Sequence, residues 1–302
     1  MVKRALDRSR ARNRLTILNF HRVSSDDGSA YRPLDPGLFE ECVRFCVRNF
    51  AVRTFAELDD HPPSDALPPV VISFDDGYKD FTDVVVPILK RHQVRANLNV
   101  IPACVKSGLP PLNVLTQDFI GKAPPSLLAE LDLPGLGPVD PSASRERTGM
   151  RVSHFIKNKP ISEQAQIREK LAGLFHRFDR FAPTPMMTLG DVRAVASEHE
   201  LGAHSLEHAN LPEETEDYVR SDAAGCVEFF DKEIGRPTSI YALPNGAGGE
   251  REIRILNEAG FRHVLFTGEG FSKPQASCHP RFSMAGSSKA EIRTRSTGLV
   301  RR

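Results

Sequence analysis

The chain has 302 residues, with 40 basic and 39 acidic side chains and 40% hydrophobic residues. That is enough apolar material for one large domain or two ordinary ones, and it excludes wholesale disorder. A net charge of +1 argues against a nucleic-acid partner, whose phosphates call for a basic face.

Both ends are locally basic, through Lys3, Arg4, Arg8, Arg10, Arg12 and Arg14 at one and Lys289, Arg293, Arg295, Arg301 and Arg302 at the other. Residues 1–14 and 289–302 are therefore read as basic tails flanking a 15–288 domain. No stretch approaches the ~18–20 apolar residues that span a bilayer. The basic start lacks the apolar run of a secretory signal, so a cytoplasmic location is expected. Five cysteines at scattered spacings fit a reducing compartment, with Cys42 and Cys46 packing into a core.

In chain order, LTILNF (15–20) reads as a strand, and a helix is expected over 36–49. VVISF (70–74) is a second strand, followed by a helix near 80–92, and ANLNVI (96–101) is a third. Residues 105–187 break the pattern. They are rich in proline and glycine to about 140, then polar and helical around 160–180, and read as an insertion facing the substrate. The alternation resumes with a helix at 188–199, a short strand ending near His204 and a long helix over 216–234. Strand 239–243, a helix stopped by Gly260, and strand 263–267 follow. Strand and helix in alternation predict a parallel sheet, open or closed into a barrel, with ligands at the carboxyl ends of its strands.

Two segments at predicted strand ends carry the chemistry. Asp75 and Asp76, in SFDDGY, are adjacent carboxylates whose repulsion calls for a cation between or beside them. Neighbouring side chains of an extended chain point opposite ways, so the pair either divides its tasks or the chain turns at Gly77. The second segment, His204-Ser205-Leu206-Glu207-His208, places two imidazoles four apart, a spacing able to reach one metal ion. Its glutamate directly precedes the second histidine rather than following the first, which disfavours a zinc peptidase. One Asp and two His form a three-ligand set with open positions, and the second Asp is then a natural base for water.

These segments resemble the NodB-homology polysaccharide deacetylases, carbohydrate esterase family 4. SFDDGY is similar to the first motif of that family, HSLEH to its second, and Tyr241-Ala242-Leu243-Pro244-Asn245-Gly246 to its third. Phe20-His21-Arg22-Val23 matches a branch with an early histidine. The resemblance covers about 15–103 and 186–270. It implies a distorted (β/α) barrel of about seven parallel strands and a hydrolase that removes an N-acetyl, less commonly an O-acetyl, group from an acetylated carbohydrate. It implies Asp75 as general base, a divalent metal (zinc being usual) on Asp76, His204 and His208, and the Asn245 N–H at the oxyanion. Tyr78 is a candidate for lining the site.

The general acid is expected at His21, with His279 as the alternative. Ala242 stands where many members carry an arginine that orients the base, which leaves Arg22 or another cation to substitute. Two other readings stay open: a non-catalytic carbohydrate-binding or assembly protein, and an amidase or deformylase acting on another amide.

Overall fold

The computed structural model describes residues 6–9, 12–60 and 67–299. Strand β1 (Thr16–Phe20) leads to helix α1 (Pro36–Asn49), whose start is capped by Asp35 accepting from the Gly37 and Leu38 N–H groups. The short β2 (Ala51–Val52) and α2 (Phe55–Asp60) precede β3 (Pro69–Phe74). A π-helical turn (Phe81–Val85) opens α3 (Val86–Arg91), and β4 (Asn97–Val100) follows.

The inserted region contains α4 (Pro102–Ser107), α5 (Leu112–Lys122), α6 (Pro125–Leu128) and the hairpin of β5 (Asp132–Leu133) with β6 (Gly137–Pro138). It continues with α7 (Arg145–Lys157) and α8 (Ile161–His176). Helix α9 (Leu189–Val195) and β7 (Glu200–Ala203) return the chain to the sheet. Then come α10 (Glu216–Glu228) with a π-helical end (Phe229–Ile234), β8 (Ile240–Ala242), α11 (Glu250–Glu258) and β9 (His263–Leu265). The two-residue strands β10 (Cys278–His279) and β11 (Phe282–Ser283) precede α12 (Lys289–Ser296).

The strands pair in parallel in the order β10-β9-β8-β7-β4-β3-β1-β11, with β2 added against the start of β3. Eight strands on this path replace the seven expected. The two edge strands, β10 and β11, are separated in the chain only by Pro280 and Arg281. Three Cα–Cα steps span at most about 11 Å, so the sheet must curl until its edges nearly meet. The result is a (β/α) barrel closed by the chain itself.

Strand periodicity then decides what lies inside. In β1 and β3, Leu18, Phe20, Val70, Ile72 and Phe74 face the helices and share one apolar cluster with α1, α3 and α10. The alternate residues Leu15, Ile17, Val71, Ile240 and Leu265 form a smaller inner cluster with Phe55. Higher in the barrel the inner row turns polar, with Asn19, Ser73, Asn97, Asn99 and Arg281 all buried. Each such group needs a partner inside: Ser73 Oγ donates to Asn97 Oδ1 (2.8 Å) and Arg281 Nη1 to Asn19 Oδ1 (2.9 Å). On β7, Gly202 leaves the room, since a Cβ there would lie 2.1 Å from Asn99 Oδ1.

The inserted helices have their own apolar core around Phe119, Val152 and Leu171. They dock on the barrel through the Ala30 N–H to the Gln117 carbonyl (3.1 Å). Asp118 also accepts from Thr184 N (2.6 Å). Of the segment expected as a basic C-terminal tail, residues 289–296 instead form α12. Its Ile292 is buried, Arg293 pairs with Glu41 (2.6 Å), and Ser296 lies 3.3 Å from Cys42 Sγ. Four charges out of eight residues hid Ile292, the buried position that anchors it. At the other end Leu6 packs on the same core, while residues 1–5, 10–11 and 300–302 lie outside the described residues. Among the described residues no helix is long and apolar enough to cross a membrane.

Candidate metal centre

Asp75 continues the inner row of Val71 and Ser73 one step past β3 and points into the polar part of the barrel. Asn19 Nδ2 donates to its Oδ2 (3.1 Å) and Asn99 Nδ2 to its Oδ1 (2.8 Å). Arg281 adds a two-pronged pair, Nη1 to Oδ1 and Nη2 to Oδ2, both 2.8 Å. Burial pushes the Asp75 carboxyl up, but the Arg281 guanidinium outweighs it and holds the group well below the usual carboxylate range. This side chain is therefore ionised and fixed in orientation.

The turn expected at Gly77 begins one residue earlier. Asp76 itself has φ 77° and Gly77 φ 82°; Asp is among the few residues that tolerate the left-handed region. The reversal lifts Asp76 out of the strand's alternation and aims it across the barrel mouth at the loop after β7.

That loop, HSLEH, is not helical; Ser205 (φ 59°) and His208 (φ 64°) are also left-handed. Its shape is held by Asp222 of α10, which accepts from Ser205 Oγ (2.7 Å), the Leu206 N–H (2.8 Å) and the Tyr241 hydroxyl (2.5 Å). His204 Nδ1 lies 2.8 Å from the Ala242 carbonyl. A carbonyl only accepts, so Nδ1 carries the proton and the neutral ring presents its Nε2 lone pair; burial pushes this imidazole down, but the Asp75 and Asp76 carboxylates outweigh it and push it up. His204 Nε2 is 3.3 Å and His208 Nε2 3.6 Å from Asp76 Oδ1. Burial pushes His208 down to about 4, leaving it neutral at ordinary pH and able to donate electrons to a metal.

The three ligand atoms lie within 4.8 Å of one another, and Asp76 Oδ1 is buried without a hydrogen-bond partner. A buried, unpartnered carboxylate oxygen facing two imidazole lone pairs is a cluster of acceptors with nothing to accept. Such a donor set fits a divalent metal ion and is costly without one.

The centre opens into a cleft of about 620 Å³. His21 lines it, one third exposed, with Nε2 4.0 Å from Asp75 Oδ2 and its ring edge toward Tyr31. Asn245 lines it too, in a left-handed turn (φ 59°) braced by Thr267 Oγ1 donating to its carbonyl (3.0 Å) and by its own Nδ2 donating to the Lys157 carbonyl (3.1 Å). The inserted helices form the facing wall through Asn113, Gln117, Met150 and Lys157.

Three expectations change. His279 lies fully buried inside the barrel against Phe55, with Nε2 3.0 Å from His263 Nδ1 and Nδ1 2.8 Å from Ser272 Oγ. It is a core histidine, remote from the cleft lining. Tyr78 is 1% exposed and packs with Ile101, Cys104, Val114 and Met186; the tyrosine in the cleft wall is Tyr31. Arg22 pairs with Asp27 (2.8 Å) and the Tyr31 carbonyl (2.8 Å), not with Asp75. The cation on Asp75 is Arg281, missed in the sequence although it stands two residues beyond His279 in CHPRF. The signal there was a lone arginine among apolar neighbours, between two runs too short to read as strands.

Residues 189–264 match the family model described as polysaccharide deacetylase. Among curated protein sequences none matches. Among solved structures, the Streptococcus pyogenes deacetylase PplD in complex with acetate aligns at 15% identity and a TM-score of 0.59, covering 90% of this chain and 92% of that one. IcaB from Ammonifex degensii aligns at 16% identity and 0.58, covering 94% and 97%. A de-N-acetylase from Aggregatibacter actinomycetemcomitans aligns at 15% and 0.55, covering 89% and 94%. At these identities the likeness is one of fold.

Proposed function

The chain carries a polysaccharide deacetylase domain of the NodB type, and from that premise we propose that it is a metal-dependent hydrolase removing the N-acetyl group from an amino-sugar unit of a carbohydrate. One observation carries the reading: Asp76, His204 and His208 converge from segments more than a hundred residues apart, beside a second carboxylate, Asp75, that is not part of the set. The two-nitrogen, one-oxygen donor set is one that zinc takes in catalytic sites. A divalent ion held there supplies Lewis acidity, polarising the acetamide carbonyl and easing deprotonation of water.

The chain's own residues do the rest. Asp75 takes a proton from the attacking water as the new C–O bond forms. Arg281 keeps Asp75 ionised and aimed, which meets the objection raised by Ala242 in the third motif. The Asn245 N–H donates to the oxyanion of the tetrahedral centre. His21 delivers a proton to the sugar nitrogen as the C–N bond breaks, so that acetate and a free amine leave. The non-catalytic alternative is disfavoured by this complete set of base, cation partner and ligands.

Asp75→Asn preserves the shape of the side chain and removes the proton acceptor. It is expected to retain its full complement of metal by elemental analysis while losing about 10²–10⁴-fold in turnover. Undiminished hydrolysis of an N-acetylated sugar by this variant removes Asp75 from the role.

A further inference from the structure

Lys157 ends α7, in the inserted region, and is a half-buried residue of the cleft lining. Its backbone carbonyl receives the Asn245 amide (3.1 Å), so this lysine stands next to the turn expected to hold the oxyanion. Its ammonium has no hydrogen-bond or ion-pair partner among the described residues.

The other charges of the cleft are already matched. Asp75 is taken by Arg281, Asp76 belongs to the metal set, and Glu146 lies 3.9 Å from Arg32. The remaining ionisable groups on the wall are the phenol of Tyr31 and the imidazoles of His21, His154, His204 and His208. Glu146 is no partner for Lys157, because eleven residues along one helix separate them by about 16 Å. A half-buried ammonium with no counter-ion loses hydration without recompense, and burial alone depresses its proton affinity. A neutral glycan would be served as well by the uncharged donors already present on this wall, Asn113 and Gln117. A ligand that brings a negative charge would supply the partner that this ammonium lacks among the described residues.

We propose that the cleft takes an acidic sugar, in which a carboxylate or phosphate lies close to the acetamido group and is received by the Lys157 ammonium. The inference rests on the deacetylase reading and names its substrate class. A charged hydrogen bond of this kind contributes about 1.5–3 kcal/mol, roughly ten- to a hundredfold in affinity.

The test uses the full chain loaded with zinc and three probes: the methyl glycosides of N-acetylglucosamine, of its 6-phosphate and of its 3-O-lactyl ether. By calorimetry the wild type is expected to bind one of the two anionic glycosides at least about tenfold more tightly than the neutral one. Which anion wins distinguishes phosphate from carboxylate. Lys157→Met is expected to abolish the preference and Lys157→Arg to keep most of it. Equal binding of all three glycosides by the wild type overturns the proposal, as does a preference that survives in Lys157→Met. So does an equal loss of kcat/KM on all three in that variant, which would make Lys157 a participant in the reaction. All binding is read in an Asp75→Asn background, which keeps the metal and adds no heat of hydrolysis, and turnover is read separately with Asp75 intact. A chain that prefers the anionic glycosides but hydrolyses none defeats the deacetylase reading and leaves the anion site standing.

Discussion

Two pairs of histidines stand inside this one barrel, and they differ in what surrounds them. His263 and His279 are closed into a chain: Asp59 Oδ2 to His263 Nε2 (3.2 Å), His263 Nδ1 to His279 Nε2 (3.0 Å), His279 Nδ1 to Ser272 Oγ (2.8 Å). Every ring nitrogen there has a partner, and Phe55 covers both rings. His204 and His208 present Nε2 atoms to a carboxylate oxygen that accepts no hydrogen bond. Residue type and burial are alike in the two places. What separates a site from a core is unmet donor and acceptor capacity, held in place by a strained backbone.

The comparison breaks first on metal content. Outer partners of a ligand typically matter ten- to a hundredfold in affinity, so loss of a direct ligand is expected to exceed about a hundredfold. His204→Ala should emerge from purification with little metal by elemental analysis, whereas His279→Asn should retain its full complement. A metal-free His279→Asn variant would mean that the two pairs are not independent.

A second expected effect concerns the buried ion pair that serves the same cleft. Arg281→Met leaves Asp75 buried with two amide donors and no cation, which should cost about 3–5 kcal/mol in chemical denaturation. A change below about 1 kcal/mol would show that Asp75 is better solvated than its 1% exposure suggests.

The smallest effect is one of pH. Burial first, then the neighbouring His263, pushes His279 down to about 3 from an ordinary 6.5. The fold therefore disfavours the protonated ring. Its contribution is fully present above pH 6.5 and is lost as pH falls from there toward 3, by up to about 1.4 kcal/mol per unit. Stability measured across that window should slope less steeply in His279→Asn than in the wild type. An unchanged slope would assign the acid sensitivity to other groups.

Much of this was legible without coordinates. The strands β1, β3, β4, β7, β8 and β9 announce themselves as short apolar runs at strand length, and the two motif segments stand at strand ends, where a parallel barrel collects ligands. Helix α12 was hidden by its charges. Strands β10 and β11 were hidden by length, since two residues have no period. With them went Arg281, whose meaning depends on facing Asp75 from 206 positions away. His279 stood as the alternative general acid, while the groups that enclose it come from α2, β9 and a loop.

The amino-acid order alone determined the alternation of strand and helix, the acidic doublet, the histidine pair and their placement at strand ends, because each is written in local spacing and polarity. Which cation holds the base, which histidine faces the cleft and which lysine lines it without a counter-ion among the described residues were decided only when the sheet closed. Those are properties of distance between remote segments and of access to water. Neither quantity exists until the barrel is folded.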